Sequence, residues 1–269
     1  MKDIRYILLD PTGNLTCLVL DRVEKEEEAA LTKGLLSLCE QVAYLEPPVL
    51  PETIARIRLM GGEFCGNAAM AAAVWLMRDW ASEEKTLSLL LEVSGTVNPV
   101  LCKVWKKDDG YEGSVKMPGV PEISPAVFCG IRFVQARMQG IVHLIYEGEN
   151  LATDQAEGLL RTIAEQIPDD AVGLLQWNRE KQYMIPLVYV RGSQSMVWEH
   201  GCGSGSAAIG AYEALRLQDR PAALTGMVRT EVVQPGGTIQ AVAETAGKSV
   251  ISVSITGKVR FGEKIEIFH

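Results

Sequence analysis

The stretch GGEFCGNAAM, at residues 61–70, places Cys65 after an acidic residue and before a Gly-Asn pair. A second stretch, WEHGCGSGSAA at residues 198–208, repeats this layout around Cys202, with an acid before the cysteine and small residues after it. The two cysteines lie 137 residues apart, close to half of the 269-residue chain. Each leads into an alanine-rich segment, which predicts a helix. The repetition therefore predicts two similar halves, the alternative being a coincidence between two Gly-Ala helix starts.

The sequence around these two junctions repeats a further pattern. An amphipathic helix is predicted at residues 24–39 and another at residues 153–167, and strand-like runs fill most of the remaining chain. The run GVPEISPAVF, at residues 119–128, contains prolines, lacks periodicity and is interpreted as the linker between the halves. We therefore predict an α+β fold with two pseudo-symmetric halves, at residues 1–122 and 123–269.

Composition and charge narrow the range of functions. Apolar residues make up 47% of the chain, enough for a sizeable core, and the formal net charge is −8. Nucleic acid is not an expected partner, because it attracts a basic surface, whereas a small metabolite is compatible with this charge. No apolar run is long enough to span a bilayer and no signal peptide is recognised at the N-terminus, so we expect no membrane partner and a cytoplasmic location. A homodimer is compatible with the sequence, which does not determine the oligomeric state.

The six cysteines do not have the spacing of a metal site. No Cys-x-x-Cys pair occurs and no His-x-x-x-His motif follows, so a zinc site is not expected. Cysteines in a cytoplasmic protein stay reduced, and most of them are small core residues. Cys17 and Cys102, each inside a strand-like run, fit that description. The junction cysteines Cys65 and Cys202 are different because each precedes a helix.

A cysteine at the start of a helix lies at the positive end of the helix dipole. We expect its thiolate to be favoured and its pKa to fall. The small residues that follow leave backbone amides available to bind an anion such as a carboxylate. If two such helix starts faced one carboxylate, a sulfur would lie on each face of the neighbouring carbon, which suits inversion at Cα without a cofactor. The residues expected to offer backbone donors are Gly66, Asn67, Gly203 and Ser204.

At these motifs the chain resembles the diaminopimelate epimerase-like superfamily of cofactor-independent racemases and epimerases with two cysteines. EFCGNAA and CGSGSAA are similar to the two cysteine motifs of that superfamily, in the same order. PTGN, at residues 11–14, looks like its N-terminal turn, and QPGGTI and ITGKVRFG look like its C-terminal strands. Within the superfamily the resemblance is greatest to the histidine racemases of staphylopine biosynthesis, through CEQVAYLE at residues 39–46 and both cysteine motifs.

The resemblance implies a fold, a site and a mechanism. The fold has a sheet wrapped around a central helix in each half, an active site in the cleft between the halves, and a last strand, from about residue 259, that returns to the first half. Cys65 and Cys202 would be the catalytic pair, with no cofactor and no metal, and Asn14 would contact the substrate. Glu199 is a candidate for the substrate ammonium group. Glu40 is either a substrate contact or a solvated acid at the end of a helix.

Departures from diaminopimelate epimerases bear on the substrate. Ile141 replaces the asparagine of a Gly-Asn-Pro-His stretch, and an asparagine expected near residues 172–177 is absent. Arg191 lies eleven residues before Cys202, farther than the arginine that grips the distal end of diaminopimelate. The resemblance therefore favours L-histidine in a metallophore-type pathway. The alternatives are diaminopimelate or another amino acid, an isomerase of the phenazine-biosynthesis type, a binding module without turnover, and a pair of redox-sensing thiols.

Three further side chains have open roles at this stage. His143, in the apolar run GIVHLIY, is either a core histidine or a residue that supports the site. His200 is close to Cys202 in sequence, which does not place its ring near the sulfur. Glu63 precedes the cysteine of the first half as Glu199 precedes that of the second. Its side chain either binds substrate or only orients the loop. His269 is terminal and no role is predicted for it.

Overall fold

The computed structural model describes residues 3–83, 85–218, 226–262 and 264–268, so His269 lies outside the described residues. Within these ranges the chain forms a mixed α+β fold dominated by strands, as predicted. The contacts divide it into two compact units, one of Met1–Pro118 with Thr256–His269 and one of Gly119–Ile255. None of the helices in the described ranges combines the length and apolar character needed to cross a bilayer.

The four helices of the described residues fall where the sequence predicts them. The two amphipathic helices end a few residues earlier than predicted, and the two alanine-rich helices each begin directly after a cysteine. The helices are α1 (Lys25–Leu35), α2 (Gly66–Met77), α3 (Thr153–Ala164) and α4 (Gly203–Gln218).

Strands make up most of the remaining described chain. In the first half they are β1 (Ile4–Pro11), β2 (Thr16–Val19), β3 (Gln41–Glu46), β4 (Ala55–Leu59), β5 (Leu87–Val93), β6 (Val100–Lys107) and β7 (Gly110–Lys116). They continue as β8 (Glu122–Phe128), β9 (Ile131–Met138), β10 (Ile141–Tyr146), β11 (Ala171–Asn178), β12 (Tyr183–Val190), β13 (Ser195–Trp198), β14 (Gly226–Gln234), β15 (Gly237–Ala246), β16 (Ser249–Phe261) and β17 (Glu266–Phe268).

In the first unit the sheet closes on itself around α2. Strands β1 to β7 pair in sequence order, with parallel pairs only at β2–β3 and β4–β5. Strand β16 pairs with β7 and with β1, which completes the ring, and β17 also pairs with β1. Helix α2 packs against β1, β2, β4, β5, β6 and β7. The first nine residues of this helix are buried among the strands, which explains its apolar sequence.

Small side chains allow α2 to lie this close to the strands. Its first nine residues, Gly66 to Val74, are all buried. At Gly113 of β7 a Cβ atom would lie 2.4 Å from Met70 Cγ and 3.0 Å from Val74 Cγ2, so the absence of a side chain there sets the spacing between helix and strand. Alanine in the helix and glycine in the strand therefore serve the same close packing.

The second unit repeats the order of pairings seen in the first. Antiparallel and parallel pairs alternate, as they do from β1 to β6. The antiparallel pairs are β9–β10, β11–β12 and β14–β15, and the parallel pairs are β10–β11 and β12–β14. Helix α3 connects the parallel pair β10–β11 and packs on β11 and β12, whereas α4 precedes β14 and packs on β14, β15 and β10. Strand β13 pairs with β12 and leads to Cys202.

The predicted linker at residues 119–128 is wrong for most of its length. Residues Glu122–Phe128 form β8, which is antiparallel to β9 over seven residue pairs. Pro125, which suggested a linker, lies opposite Val134 in this pair. Proline is tolerated in a strand when its nitrogen faces away from the partner, and the missing alternation of apolar residues fits a strand with no fully buried face. The domain boundary at 122/123 stays a prediction; the chain passes back into the first unit at Thr256, within β16.

Two helical glycines provide a test of the packing around α4. At Gly210 of α4 a Cβ atom would lie 2.5 Å from the Cβ of Ala241 in β15, whereas at Gly158 of α3 it would meet nothing within 4 Å. Gly210→Ala should therefore lower the free energy of unfolding by about 1–3 kcal/mol through overpacking. Gly158→Ala should raise it by about 0.5–1 kcal/mol through helix propensity. Urea unfolding of both variants measures the two values, and equal effects would contradict the packing described for α4.

Candidate functional site

Cys65 is the N-cap residue of α2. Its backbone is extended, with φ −131° and ψ 113°, and its Sγ accepts a hydrogen bond from the amide of Ala68 at 3.4 Å. Its carbonyl accepts the amide of Ala69 at 3.0 Å, which is the first bond of the helical ladder. The thiol therefore takes the place that serine or aspartate usually fills at a helix start.

Cys202 makes the same two contacts at the start of α4. Its Sγ accepts the amide of Gly205 at 3.3 Å, and its carbonyl accepts the amide of Ser206 at 3.0 Å. In both units the sulfur thus binds the amide three residues on, and the carbonyl binds the amide four residues on. The amides of the first two residues of each helix lie before the intrahelical ladder. Those are the amides of Gly66 and Asn67 in α2 and of Gly203 and Ser204 in α4, and their role as carboxylate donors stays a prediction.

The loop before Cys65 is held by two residues that the sequence analysis did not identify. The hydroxyl of Ser94 donates to the carbonyl of Glu63 at 2.7 Å and accepts the amide of Leu59 at 2.9 Å. Gly95 lies so close to the loop that a Cβ there would be 2.3 Å from the nitrogen of Phe64. The sequence signal is the Ser-Gly pair directly after β5, which is typical of a turn. Glu63 itself is exposed, and the loop uses its backbone carbonyl.

Asn14 is buried in the turn between β1 and β2, where its side chain is fixed by Gln41. The Nε2 of Gln41 donates to Asn14 Oδ1 and, at 2.8 Å, to Thr16 Oγ1. The parallel pairing of β2 with β3 sets Thr16 opposite Gln41 and so explains the contact. Glu40, the predicted site residue of this segment, is exposed, and its amide donates to the carbonyl of Leu15 at 2.9 Å. Gln41 is therefore the residue of the CEQV run that contacts Asn14.

Gln234 supports Cys202 from the end of β14. Its Oε1 accepts the amide of Cys202 at 2.7 Å, and its Nε2 donates to Ser206 Oγ at 3.0 Å. Ser206 Oγ in turn donates to the carbonyl of Cys202 at 2.7 Å. In the sequence analysis the QPGGTI run indicates only a strand like those of the superfamily. The structure shows that its glutamine also holds the backbone of Cys202. The next turn is fixed to the same loop, because the amide of Gly236 donates to the carbonyl of His200 at 2.8 Å.

The expected fall in thiol pKa is wrong for Cys202. Burial raises the pKa of the Cys202 thiol well above its ordinary value, and the carboxylate of Glu199 raises it further. The hydroxyl of Ser204 and the amide of Gly205 act in the opposite direction and are outweighed. Only 3% of Cys202 is exposed, so the loss of hydration of a thiolate exceeds the benefit of the helix start. In this state Cys202 is a protonated thiol at neutral pH.

Glu199 lies close to the thiol of Cys202. It follows β13, its amide donates to the carbonyl of Pro186 at 3.0 Å, and its carboxylate is within hydrogen-bonding reach of the sulfur. The structure therefore places this predicted substrate-binding acid beside the second cysteine. Its role toward a substrate ammonium group stays a prediction.

The open assignments of two other side chains are resolved by their contacts. The guanidinium of Arg191 donates to the carbonyls of Ala164, Ile167 and Asp169, beside the C-terminus of α3, where a cation is favoured. It acts as a structural residue of that helix end. The side chain of His200 is exposed, and its loop contributes a backbone carbonyl to the turn at Gly236.

His143 is fully buried in β10 and reaches α4. Its Nε2 lies 2.9 Å from Ser204 Oγ, and Ser204 Oγ lies 3.6 Å from Cys202 Sγ. Burial lowers the pKa of His143 to about 4. The residue is therefore a neutral histidine in contact with the residue two positions after the cysteine, a relation that the sequence left open.

Metal binding has no support from the side-chain arrangement. In the part of the chain that the structure describes, no three His, Cys, Asp or Glu side chains lie close enough together to hold a metal ion.

A comparison of Gly95 with Gly62 tests whether the close packing at Gly95, and not its positive φ alone, supports the loop before Cys65. Both have positive φ, 74° and 78°, but a Cβ at Gly62 would meet nothing within 4 Å. Gly95→Ala should displace Phe64, weaken the bond from the Ala68 amide to Cys65 Sγ, and slow alkylation of Cys65 by iodoacetamide roughly tenfold. Gly62→Ala should leave that rate nearly unchanged. Peptide mass spectrometry measures both rates, and equal rates would show that Gly95 does not support the loop.

The buried His143 predicts a specific loss of stability in acid. Its pKa of about 4 in the folded chain lies below the ordinary 6.5, so the unfolded chain binds more protons between these values. The stabilisation is complete above about pH 6.5 and is lost as the pH falls toward 4. Between pH 7 and pH 5 the loss through this residue should be roughly 2 kcal/mol. Unfolding free energies of the parent and His143→Gln at both pH values measure it, and parallel changes in the two proteins would exclude it.

Comparisons with known proteins identify a family and relatives that match almost the whole chain. A family model described as the histidine racemase CntK N-terminal domain matches residues 3–267. The histidine racemase of Staphylococcus aureus strain Mu50 is 25% identical over 268 residues, which cover 95% of this chain and 94% of that protein. The match therefore extends over almost the whole length of both chains.

Two solved structures share the fold. A probable proline racemase from Agrobacterium radiobacter K84, with bound carbonate, has a TM-score of 0.71 at 12% identity and covers 97% of this chain and 92% of its own. A phenazine biosynthesis protein of the PhzF family from Bacillus anthracis has a TM-score of 0.70 at 15% identity, with both chains covered completely. These likenesses establish the fold and do not distinguish among its activities. Because the family model matches nearly the entire chain, the protein belongs to the family of the histidine racemase CntK N-terminal domain and is an isomerase.

Proposed function

We propose that the protein is a cofactor-independent amino-acid racemase in which Cys65 and Cys202 are the two bases, with histidine as the substrate. The observation that carries this proposal is the repeated thiol cap, in which each sulfur accepts the amide three residues on at the start of a buried helix. Inversion at Cα needs two proton-transfer groups, one to remove a proton from one face and one to deliver a proton to the opposite face, and two thiols held in the same way can supply both.

The proton balance of the reaction is simple. The thiolate of one cysteine takes the Cα proton and becomes a thiol, and the electron pair of the broken C–H bond remains on Cα. The thiol of the other cysteine then protonates the opposite face and becomes a thiolate. The substrate carboxylate would accept hydrogen bonds from the amides of Gly66, Asn67, Gly203 and Ser204, and these preorganised donors would stabilise the charge that develops beside it.

The electrostatics around Cys202 support a role as proton donor in the resting enzyme. Burial and the Glu199 carboxylate keep this thiol protonated at neutral pH. If the substrate ammonium group pairs with Glu199, its positive charge offsets the carboxylate and lowers the pKa of the thiol. Binding of substrate would then bring Cys202 closer to the state in which it can exchange a proton. Asn14, held by Gln41, and Glu40 stay candidates for contacts with the substrate in the first unit.

The repeated order of strand pairings supports an origin by duplication. In each unit an amphipathic helix lies between the strands of the first parallel pair, and an alanine-rich helix lies between the strands of the second. We infer that the units are pseudo-symmetric copies of one ancestral half and that each contributes one sulfur to the reaction. A homodimer and a cytoplasmic location stay predictions.

Family membership and the contacts of Arg191 both favour histidine over diaminopimelate as the substrate. The guanidinium of Arg191 is engaged by three backbone carbonyls and so does not serve the distal carboxylate of a longer substrate. Ile141 offers no hydrogen bond at the position where diaminopimelate epimerases have asparagine. A place in a metallophore-type pathway follows from the same resemblance and is part of the hypothesis.

The test follows the Cα proton. The reduced protein is incubated with L-histidine in heavy water, alongside other L-amino acids and diaminopimelate, while NMR follows the Cα–H signal and chiral chromatography follows the enantiomers. We expect loss of the signal and formation of D-histidine. Cys65→Ser and Cys202→Ser should each reduce the rate by roughly 10²–10⁴-fold, the usual contribution of a positioned acid or base.

Cys129→Ser is the matched control, because Cys129 is an exposed free thiol outside both caps. It should retain the full rate. Faster exchange with diaminopimelate than with histidine would overturn the substrate assignment. Binding of an amino acid without exchange would indicate a binding module, and exchange that survives both cysteine substitutions would exclude the two-thiol mechanism.

A further inference from the structure

A line of three side chains connects the interior of the second unit to the Cys202 sulfur. His143 Nε2 lies 2.9 Å from Ser204 Oγ, which lies 3.6 Å from Cys202 Sγ. His143 is fully buried, Cys202 is buried and Ser204 is half-buried. Burying a polar ring in an apolar strand is costly unless a partner compensates it, and the partner here is the residue that also faces the sulfur.

The space for the imidazole is provided by a glycine on the neighbouring strand. In the parallel pair β10–β11, His143 lies opposite Gly173. A Cβ at Gly173 would be 2.2 Å from His143 Nδ1 and 2.8 Å from its Cε1. Any other residue at position 173 would therefore force the ring to move, so the strand pair is shaped to hold the histidine in this orientation.

The hydrogen-bond partners of the two ring nitrogens indicate which of them carries the proton in His143. Burial keeps His143 neutral, since its pKa is about 4, and a neutral imidazole carries one N–H and one lone pair. Among the described residues, Nδ1 is a buried atom with no hydrogen-bond partner. A buried N–H without an acceptor is rarer than a buried acceptor without a donor, which favours the tautomer with the proton on Nε2. Nε2–H then donates to Ser204 Oγ, and the hydrogen of the Ser204 hydroxyl is left to point at the sulfur.

We propose that His143 is a positioning residue that acts through Ser204, fixing the serine hydroxyl as a hydrogen-bond donor to the Cys202 sulfur. This inference rests on the proposed function, in which Cys202 cycles between thiol and thiolate. Without the ring, the hydroxyl of the half-buried Ser204 could rotate toward solvent. With it, the thiolate receives two donors, the Ser204 hydroxyl and the Gly205 amide at 3.3 Å.

These donors matter because the other influences on Cys202 oppose its ionisation. The groups that face the sulfur are the Glu199 carboxylate from the loop after β13, the Ser204 hydroxyl and the Gly205 amide from α4. Burial and Glu199 favour the thiol, whereas the hydroxyl and the amide favour the thiolate. His143 bears no charge and adds no charge effect of its own, so its contribution is the direction of one hydrogen bond.

The test measures the reactivity of each cysteine in the full-length protein without substrate. Iodoacetamide alkylation of Cys202 and Cys65 is followed by peptide mass spectrometry as a function of pH. His143→Leu should slow alkylation of Cys202 about tenfold at a fixed pH below the thiol pKa and shift its pH profile upward, while Cys65 is unaffected. His143→Gln, whose side-chain amide can donate from the position of Nε2, should stay within about threefold of the parent.

Ser204→Ala is a second variant that avoids a change in the buried strand. It should slow Cys202 to the same extent as His143→Leu, and the double variant should be no slower than either single one, because both remove the same donor. Thermal melting checks that each variant is folded. Should His143→Leu fail to fold, His143→Asn, which cannot reach Ser204, replaces it with the same expected loss.

Two results would overturn the proposal. An unchanged Cys202 rate in the folded His143→Leu or His143→Asn variant would mean that the histidine only packs. A faster rate would mean that the ring accepts the serine proton and stabilises the thiol instead. Neither result depends on turnover, since exchange of the Cα proton is measured separately. Slowed alkylation in the variants, with no Cα proton exchange by the parent protein, would sustain the positioning role of His143 and reject the proposed function. Exchange by the parent protein with unchanged alkylation in the variants would reject only the positioning role.

Discussion

The hydrogen bond from a helix amide to a cysteine sulfur is the interaction on which the site depends. Cys65 and Cys202 each directly precede the first residue of a helix, and each sulfur accepts the amide three residues on. A sulfur in this position is fixed relative to the first turn of a helix, whose leading amides have no intrahelical acceptor. The same cap therefore fixes the sulfur beside the leading amides of the helix, the arrangement on which the proposed two-thiol mechanism relies.

Packing explains why these helices can carry such caps. Helix α2 is enclosed by the closed sheet of the first unit, and its Met70 and Val74 pack closely over Gly113 of β7. Helix α4 meets Ala241 at Gly210 in the same manner. Because both helices are held by close backbone contact, their first turns have little freedom to move, and the sulfurs are positioned by the core of the protein.

The two caps differ in what surrounds them, and this difference bears on function. Cys202 is buried, faces the Glu199 carboxylate and is supported by Gln234 and by the Ser204–His143 pair. Burial and the carboxylate favour its thiol, whereas the directed hydrogen bonds favour its thiolate. Cys65 is less buried, and its loop is held through backbone contacts with Ser94 and Gly95. In the proposed two-thiol mechanism this asymmetry has a chemical meaning, since racemisation needs one acid and one base at any moment.

The sequence by itself determined the features that depend on local chemistry. The two cysteine junctions, the alanine-rich helices after them, the amphipathic helices, the α+β class and the family could all be inferred, because helix propensity, periodicity and motif order are properties of contiguous residues. The tertiary structure decided what depends on residues distant in sequence. Strand pairing set Thr16 opposite Gln41, whose amide contacts Asn14, set Gly173 opposite His143 and revealed β8 in place of a linker. Side-chain hydrogen bonds assigned Arg191 to the end of α3. It also reversed the expected pKa shift of Cys202, because burial and a neighbouring carboxylate outweigh a helix start, and neither can be derived from the order of residues around the cysteine.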